Sequence, residues 1–291
     1  MITILDGSMG GELIRRGAAS VTGLWSAQAL LDAPKAVLQL HADYIAAGAN
    51  VITTNSYSTI PSYLGKSDLA SRYIELTSLA GELARKAAND SDTPVKVAGS
   101  VPPLSESYRP DMVPDQQQAE PVYKSMVIAL RDYVDLFICE TMSSSEEATH
   151  AVSQVMRYGN GKPVMVSWTL KEKPGTGLRS GETILEAFNR LQEFDIDGFL
   201  FNCTHPEAII AALGEIRQLT DKPIGGYPNR LNPVDPQWTL DNEIATGLRP
   251  DMDVAYFLEM ATLFKKQGAT IIGGCCGIGP EYIAALAKDL S

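Results

Sequence analysis

The sequence predicts an α/β fold, a (β/α)8 barrel built as a single domain over residues 1–291. Three observations predict it. Short apolar runs recur at wide, regular intervals; amphipathic helical patterns lie between them; and the segments that follow the runs are long where those that precede them are short and bear glycine. The runs are ITIL (2–5), NVITT (50–54), VKVAG (95–99), DLFIC (135–139), PVMVSW (163–168), DGFLF (197–201), PIGG (223–226) and ATIIGG (269–274). Each is too short for a helix and too uniformly apolar for a sheet with one wet face, so each reads as a buried parallel strand. Between them, Val37, Leu40, His41, Tyr44 and Ile45 follow a helical template that Gly48 stops. Leu69 to Leu83 and Val122 to Tyr133 alternate steps of four and three, and further apolar faces run over 209–216, 257–264 and 283–290. Periodicity alone leaves a doubly wound open sheet as the alternative. The long segments 6–33, 55–67, 100–117 and 227–251 fall on the C-terminal rim of such a barrel, where chemistry is usually housed. The last of them is rich in Pro and Asn and reads as a lid or an ordered cap.

Bulk properties narrow the function classes. A chain that is 45% hydrophobic can bury a large core. A net charge of −11 disfavours nucleic acid and anionic membranes as partners. No apolar run approaches the length of a membrane span, the N-terminus lacks the basic start of a signal peptide, and four cysteines in 291 residues make no disulfide framework. The expectation is a cytoplasmic protein with reduced thiols.

Two of those cysteines, Cys275 and Cys276, are adjacent in GGCCGIG (273–279), just past the eighth run, and Cys203 lies just past the sixth. The predicted barrel brings both places to one rim. Three thiolates converging there suit Zn2+, and three protein ligands with a fourth position open is the arrangement of a catalytic zinc. Strand alternation puts the remaining thiol, Cys139, on the opposite side from its neighbour Glu140. Turning two adjacent side chains toward one point needs unusual backbone angles, which Gly273, Gly274 and Gly277 permit. The alternatives are a buried hydrophobic pair and a strained vicinal disulfide. His205 is a conceivable fourth ligand, although Pro206 marks it as the residue that opens a helix. Asp6 and Glu140 are carboxylates at strand ends, suited to an ammonium group, or else an N-cap and a solvated loop charge. The glycine-rich DGSMGG (6–11) offers backbone N–H groups to a carboxylate but is not a dinucleotide fingerprint.

The stretches ILDGSMGGELIRRG, GANVITTNSY, FICETMSS, FNC and GGCCG together resemble the homocysteine S-methyltransferase family over residues 2 to about 285. That family includes betaine-dependent and S-methylmethionine-dependent enzymes and the homocysteine domain of cobalamin-dependent methionine synthase. The resemblance implies a TIM barrel, zinc held by Cys203, Cys275 and Cys276, and homocysteine held through its amino-acid part by Asp6, Gly7 and Glu140. It also implies transfer of a methyl group to the homocysteine thiol, giving methionine. LWSA (24–27) resembles the S-methylmethionine-using branch and points to a small sulfonium donor, S-methylmethionine or S-adenosylmethionine. No folate- or cobalamin-binding domain is expected beside the barrel. Aromatic faces suit sulfonium and quaternary ammonium cations, so Trp25, Tyr57, Trp168 and Tyr227, at or just past strand ends, are candidates for lining a donor pocket, with ordinary packing as the alternative. Betaine as donor and a selenol as acceptor stay open. So do a non-catalytic zinc barrel that docks a separate methyl-carrier protein and a metal-free redox protein built on the Cys275–Cys276 pair.

Overall fold

The structure, a computed structural model, describes residues 2–20, 23–235, 238–239 and 247–290. All eight expected strands form: β1 (Thr3–Ile4), β2 (Val51–Thr53), β3 (Lys96–Val101), β4 (Leu136–Met142), β5 (Val164–Trp168), β6 (Gly198–Asn202), β7 (Ile224–Tyr227) and β8 (Ile271–Ile272). Each is parallel to its neighbours, in the order β1-β8-β7-β6-β5-β4-β3-β2. The ends of that order meet. Leu5 bridges Val51 in parallel, the Asn50 N–H donates to the Ile4 carbonyl at 2.8 Å, and the Asp6 N–H donates to the Val51 carbonyl at 3.0 Å. The open-sheet alternative is thereby excluded.

The helices are α1 (Met9–Arg15), α2 (Ala27–Asp32), α3 (Pro34–Ala46), α4 (Pro61–Gly65), α5 (Tyr73–Asn89), α6 (Gln116–Leu130), α7 (Ser145–Tyr158), α8 (Ile184–Arg190), α9 (Pro206–Arg217), α10 (Val254–Lys266) and α11 (Pro280–Asp289). Six correspond to the amphipathic patterns, although Tyr133 falls beyond the end of α6. Periodicity missed α7 and α8. The inward face of α7 is weakly apolar, made of Ala148, Ala151, Val152 and Val155 interleaved with His150 and Gln154, and α8 has only 7 residues. Their start signals are nonetheless in the sequence. The Ser144 side chain accepts the Glu147 N–H, and Thr183 with Glu186 forms a reciprocal capping box. No helix among the described residues is long and apolar enough to cross a membrane.

Two apolar layers result. The barrel interior is a small cluster of Leu5, Val51, Ala98, Leu136, Ile138, Leu200, Tyr227 and Ile271, with Met165 and Cys275 against it. The larger layer lies between strands and helices and includes Leu13, Val37, Leu40, Ile52, Phe137, Val166, Phe201 and Phe264. Cys139 belongs to this outer layer, as alternation from Glu140 requires. Along the interior face, apolar residues give way to polar ones toward the strand C-termini: Ala98 to Ser100, Ile138 to Glu140, Met165 to Ser167, Leu200 to Asn202. The floor is dry and the mouth is polar.

Trp168 corrects one expectation. Its neighbour Ser167 faces the barrel mouth, where the hydroxyl donates to Asn202 Oδ1, so Trp168 points the other way. It is fully buried among the helices, stacked on Phe199 at 5.7 Å and tilted against Phe201 at 6.1 Å. It does not line a donor pocket. Removing such a packed ring leaves a cavity, so Trp168→Ala is expected to destabilise the fold by about 3–5 kcal/mol. Trp168→Phe is expected to leave the KM for any methyl donor unchanged. Denaturant unfolding and steady-state kinetics check the pair.

Candidate active site at the C-terminal rim

Cys203 follows β6 and the Cys275–Cys276 pair follows β8, and β7 lies between them. The three sulfurs converge: all lie within 4.8 Å of one another, and Cys203 Sγ is 3.7 Å from Cys276 Sγ. Four ligands placed tetrahedrally about 2.3 Å from zinc would stand about 3.8 Å apart, so this cluster has the spacing of a metal site and not of a disulfide. The thiols are free. Thiolate donors suit a soft or borderline ion, and three of them leave one position for a substrate. In the metal-free cluster the sulfurs compete for protons. Hydrogen bonds from Cys275 and Cys276 hold the Cys203 thiol well below its ordinary range, and the same contacts push the Cys275 and Cys276 thiols well above it.

The backbone is bent to make this happen. Cys203 has φ 51°, a left-handed conformation that a residue with a Cβ seldom adopts, and its N–H donates to the Tyr227 carbonyl at 3.2 Å. The loop after β7 then holds the adjacent pair: the Cys275 N–H donates to Pro228 O at 2.8 Å, and the Arg230 N–H to Cys276 O at 2.8 Å. Of the three glycines expected to supply unusual angles, only Gly277 is left-handed, with φ 82°. Gly273 and Gly274 serve a different end, close approach. A Cβ on Gly273 would strike Leu5, and one on Gly274 would overlap the Ile278 side chain. His205 is the N-cap of α9 and donates from Nε2 to Leu231 O at 2.9 Å, so it is the helix opener and not a ligand.

The two carboxylates sit inside the mouth. Alternation from Ile138 aims Glu140 inward, and the end of β4 is distorted around it, with a register shift between Cys139 and Met142 and Thr141 at φ 59°. Ser100 Oγ donates to Glu140 Oε1, and Tyr227 Oη to Oε2 at 3.2 Å. Asn202 pins the distorted turn: its Oδ1 accepts the Thr141 N–H at 2.8 Å and its Nδ2 donates to Thr141 Oγ1 at 2.8 Å. Asp6, at the end of β1, accepts from the Thr53 N–H at 2.7 Å and from Thr53 Oγ1 at 2.8 Å. Burial pushes each acid up to about 7, and for Asp6 the nearby Glu140 adds to the rise. Asp6 is not a helix N-cap, the place Ser8 takes for α1, and Glu140 is not a solvated loop charge. Gly7 is required by close approach, since a Cβ there would enter the Ile278 carbonyl and crowd Tyr44. The Ser8 N–H, one of those offered by the glycine-rich loop, is already given to Ile278 O at 2.9 Å.

The remaining aromatics divide. Tyr227 is buried in the barrel, where its hydroxyl donates to Glu140 and orients that carboxylate. Tyr57 is on the rim, its hydroxyl 2.7 Å from Ser107 Oγ, and the Cys203 charge is among the influences that raise its pKa after burial itself. The half-buried Trp25 has its indole over Gly10, where any Cβ would collide with the ring. Sequence reasoning missed Tyr108, which no motif marks. Its hydroxyl is 2.9 Å from Cys203 Sγ, and its ring is tilted against Trp238 at 5.8 Å. The expected cap over 227–251 is held at its ends by a Leu231–Leu248 bridge and by Arg249 donating to both carboxylate oxygens of Glu207 at 2.9 and 3.1 Å. Residues 236–237 and 240–246 of that cap lie outside the described residues.

The family model for homocysteine S-methyltransferase matches residues 3–290. The chain belongs to the homocysteine S-methyltransferase family. Among curated relatives, the homocysteine S-methyltransferase of Escherichia coli (strain K12) is 30% identical over 306 residues, covering 98% of this chain and 94% of the relative. The selenocysteine Se-methyltransferase of Brassica oleracea var. italica is 28% identical, covering 99% of this chain and 88% of its own length. Among solved structures, the metallated form of the E. coli homocysteine methyltransferase MmuM superposes with a TM-score of 0.83 at 28% identity, covering 99% of this chain and 96% of that one. Membership places the chain among methyltransferases that act on homocysteine, on a shared (β/α)8 barrel.

Asp6 and Glu140 are protonated below about pH 7 and ionised above it, and only the ionised forms attract an ammonium group. The kcat/KM for an amino-acid acceptor is therefore expected to fall as the pH drops through about 7. In Glu140→Gln it is expected to be low throughout, with a shallower acid limb. Acceptor kinetics from pH 5.5 to 8.5 test this.

Proposed function

We propose that the chain transfers a methyl group from a small sulfonium donor, S-methylmethionine or S-adenosylmethionine, to the thiol of homocysteine, giving methionine, with Zn2+ held by Cys203, Cys275 and Cys276. The observation that carries the reading is the sulfur cluster, at zinc-ligand spacing, in the same barrel mouth as two buried carboxylates. When bound, the metal acidifies the acceptor thiol so that it is a thiolate near neutral pH. The chain's own residues do the rest. Asp6 and Glu140 take the acceptor's ammonium group, Gly7 and the loop after it lie beside its carboxylate, and Tyr227, Ser100 and Thr53 fix the two acids. The neutral Tyr108 phenol, its pKa raised by burial, donates to the Cys203 sulfur.

The reaction needs no protein base. A lone pair on the acceptor sulfur forms the new S–CH3 bond in line, and the electrons of the breaking bond return to the donor sulfur. The sulfonium leaves as a neutral thioether, and with S-methylmethionine both products are methionine. Burial of Asp6, Glu140 and Cys203 limits the access of water to the mouth. A selenol acceptor is the second reading, favoured by the selenocysteine Se-methyltransferase relative.

Purified under reducing conditions, the protein is expected to carry about one equivalent of zinc. Cys275→Ala is expected to lose both the zinc and methionine formation from homocysteine with S-methylmethionine. Elemental analysis and a donor panel read the two quantities separately. Full turnover by a metal-free variant would sink the proposal.

A further inference from the structure

The proposed function leaves a buried charged group close to the sulfur cluster without a task. After β5 the chain makes a short antiparallel arm in which Leu170 bridges Leu178, and Arg179 follows it. The Arg179 side chain is only 11% exposed. Its Nη2 donates to Glu172 Oε1 at 2.7 Å, and its guanidinium lies over the Tyr108 ring, 4.9 Å from the centroid. The Arg179 Nε–H is buried with no acceptor. Native structures seldom leave a buried donor orphaned, and those that do tend to keep it for a ligand or a catalytic step. Glu172 in turn accepts from Thr204 Oγ1 at 3.1 Å and from the His205 N–H at 3.2 Å. The arginine is thus tied to the turn that carries Cys203, and the Tyr108 ring, whose hydroxyl touches the Cys203 sulfur, spaces the two apart.

We propose that Arg179 binds the carboxylate of the methyl donor, and so makes the donor an amino-acid sulfonium instead of a bare or short-chain cation. This rests on the proposed methyl transfer. A guanidinium with free N–H groups matches a carboxylate in charge and shape. Its pairing with Glu172 tempers the repulsion a lone arginine would exert on a sulfonium. The spacing also selects. In S-methylmethionine and S-adenosylmethionine a flexible chain separates the carboxylate from the sulfonium, enough to reach from the guanidinium along the Tyr108 ring toward the sulfur cluster. In betaine a single methylene separates carboxylate and ammonium, and the methyl groups would stay at the arginine.

The test uses zinc-loaded full-length protein, saturating homocysteine and two donors, S-methylmethionine and its decarboxylated analogue (3-aminopropyl)dimethylsulfonium. Arg179→Met keeps the apolar stem over Tyr108 and removes the fork. It is expected to raise the S-methylmethionine KM by about 10- to 100-fold, the range for losing a hydrogen bond to a charged group. The homocysteine KM and zinc content should not move, and the analogue should be used as well as by the wild type. Arg179→Lys should recover part of the loss. Equal losses on both donors, or a matching rise in the homocysteine KM, would show a structural role and overturn the inference. So would a wild-type enzyme with the same kcat/KM for both donors, a comparison that needs no variant to fold. A wild-type protein inert with every sulfonium overturns the methyl-transfer reading itself, and the inference with it.

Discussion

Everything in the site depends on sulfurs from two separate rim loops being brought to within bonding reach of a single ion. Cys203 and Cys276 are 73 positions apart in the chain and 3.7 Å apart in space. A barrel makes the approach possible because β6, β7 and β8 are consecutive staves, and the middle one supplies the glue. The Tyr227 and Pro228 carbonyls take the N–H groups of Cys203 and Cys275. The cost is local. Cys203 carries a left-handed backbone, and the β4 end carries another at Thr141, clamped by Asn202 from the residue next to Cys203. Strain of about 1–3 kcal/mol per residue persists only where surroundings over-determine it, and here Asn202 braces Thr141 while the Tyr227 carbonyl holds Cys203.

The second constraint is charge. Two carboxyl groups and three thiols face one another in a mouth closed beneath by aliphatic side chains. Burial raises both acids to about 7, and neighbouring negative charge, Glu140 for Asp6 and Cys203 for Glu140, adds to the rise. The geometry therefore selects ligands by sign. Under the proposed function, a divalent ion would neutralise the sulfurs and the acceptor's ammonium group the acids. A sulfonium donor would arrive as a cation and leave as a neutral thioether, so its hold on the mouth would weaken once it had reacted. The chain's overall charge of −11 extends the same preference outward.

The sequence revealed most about whatever is fixed by strand register. Eight apolar runs announced eight strands, and alternation from Glu140 placed Cys139 among the helices before any coordinates did. The sulfur site was legible for the same reason, because strand ends in a barrel share a rim. The failures have a common physical origin. Trp168 and Tyr227 are both the last residues of strands, yet one faces the helices and the other the barrel, because the two strands end in opposite phase: Trp168 pairs with the outward Phe201 and Tyr227 with the inward Asn202. Gly273 and Gly274 were taken for backbone freedom when they provide clearance, a distinction that depends on what packs opposite. Tyr108 and Arg179 sit on loops whose paths no periodicity describes. The helix α7 was lost because its buried face mixes alanine with polar residues and is only weakly apolar, although its cap could be read.

That division between strand and loop also separates the two halves of the chemistry. Asp6, Glu140, Cys203 and the Cys275–Cys276 pair sit at strand ends or the first residues beyond, braced by hydrogen bonds to neighbouring staves. Tyr57, Tyr108, Trp238 and Arg179 stand on longer connections and meet the site from above. Moving a strand-end residue disturbs the barrel's closure; moving a loop residue disturbs only its loop. An acceptor site built on the staves is therefore resistant to change, while a donor site built on the loops can be altered one connection at a time. A family arranged this way can keep one way of holding an amino-acid thiol or selenol and vary the source of the methyl group. On the proposed function, the donor is to be sought in the contacts of Tyr108 and Arg179, above three sulfurs whose placement the barrel dictates.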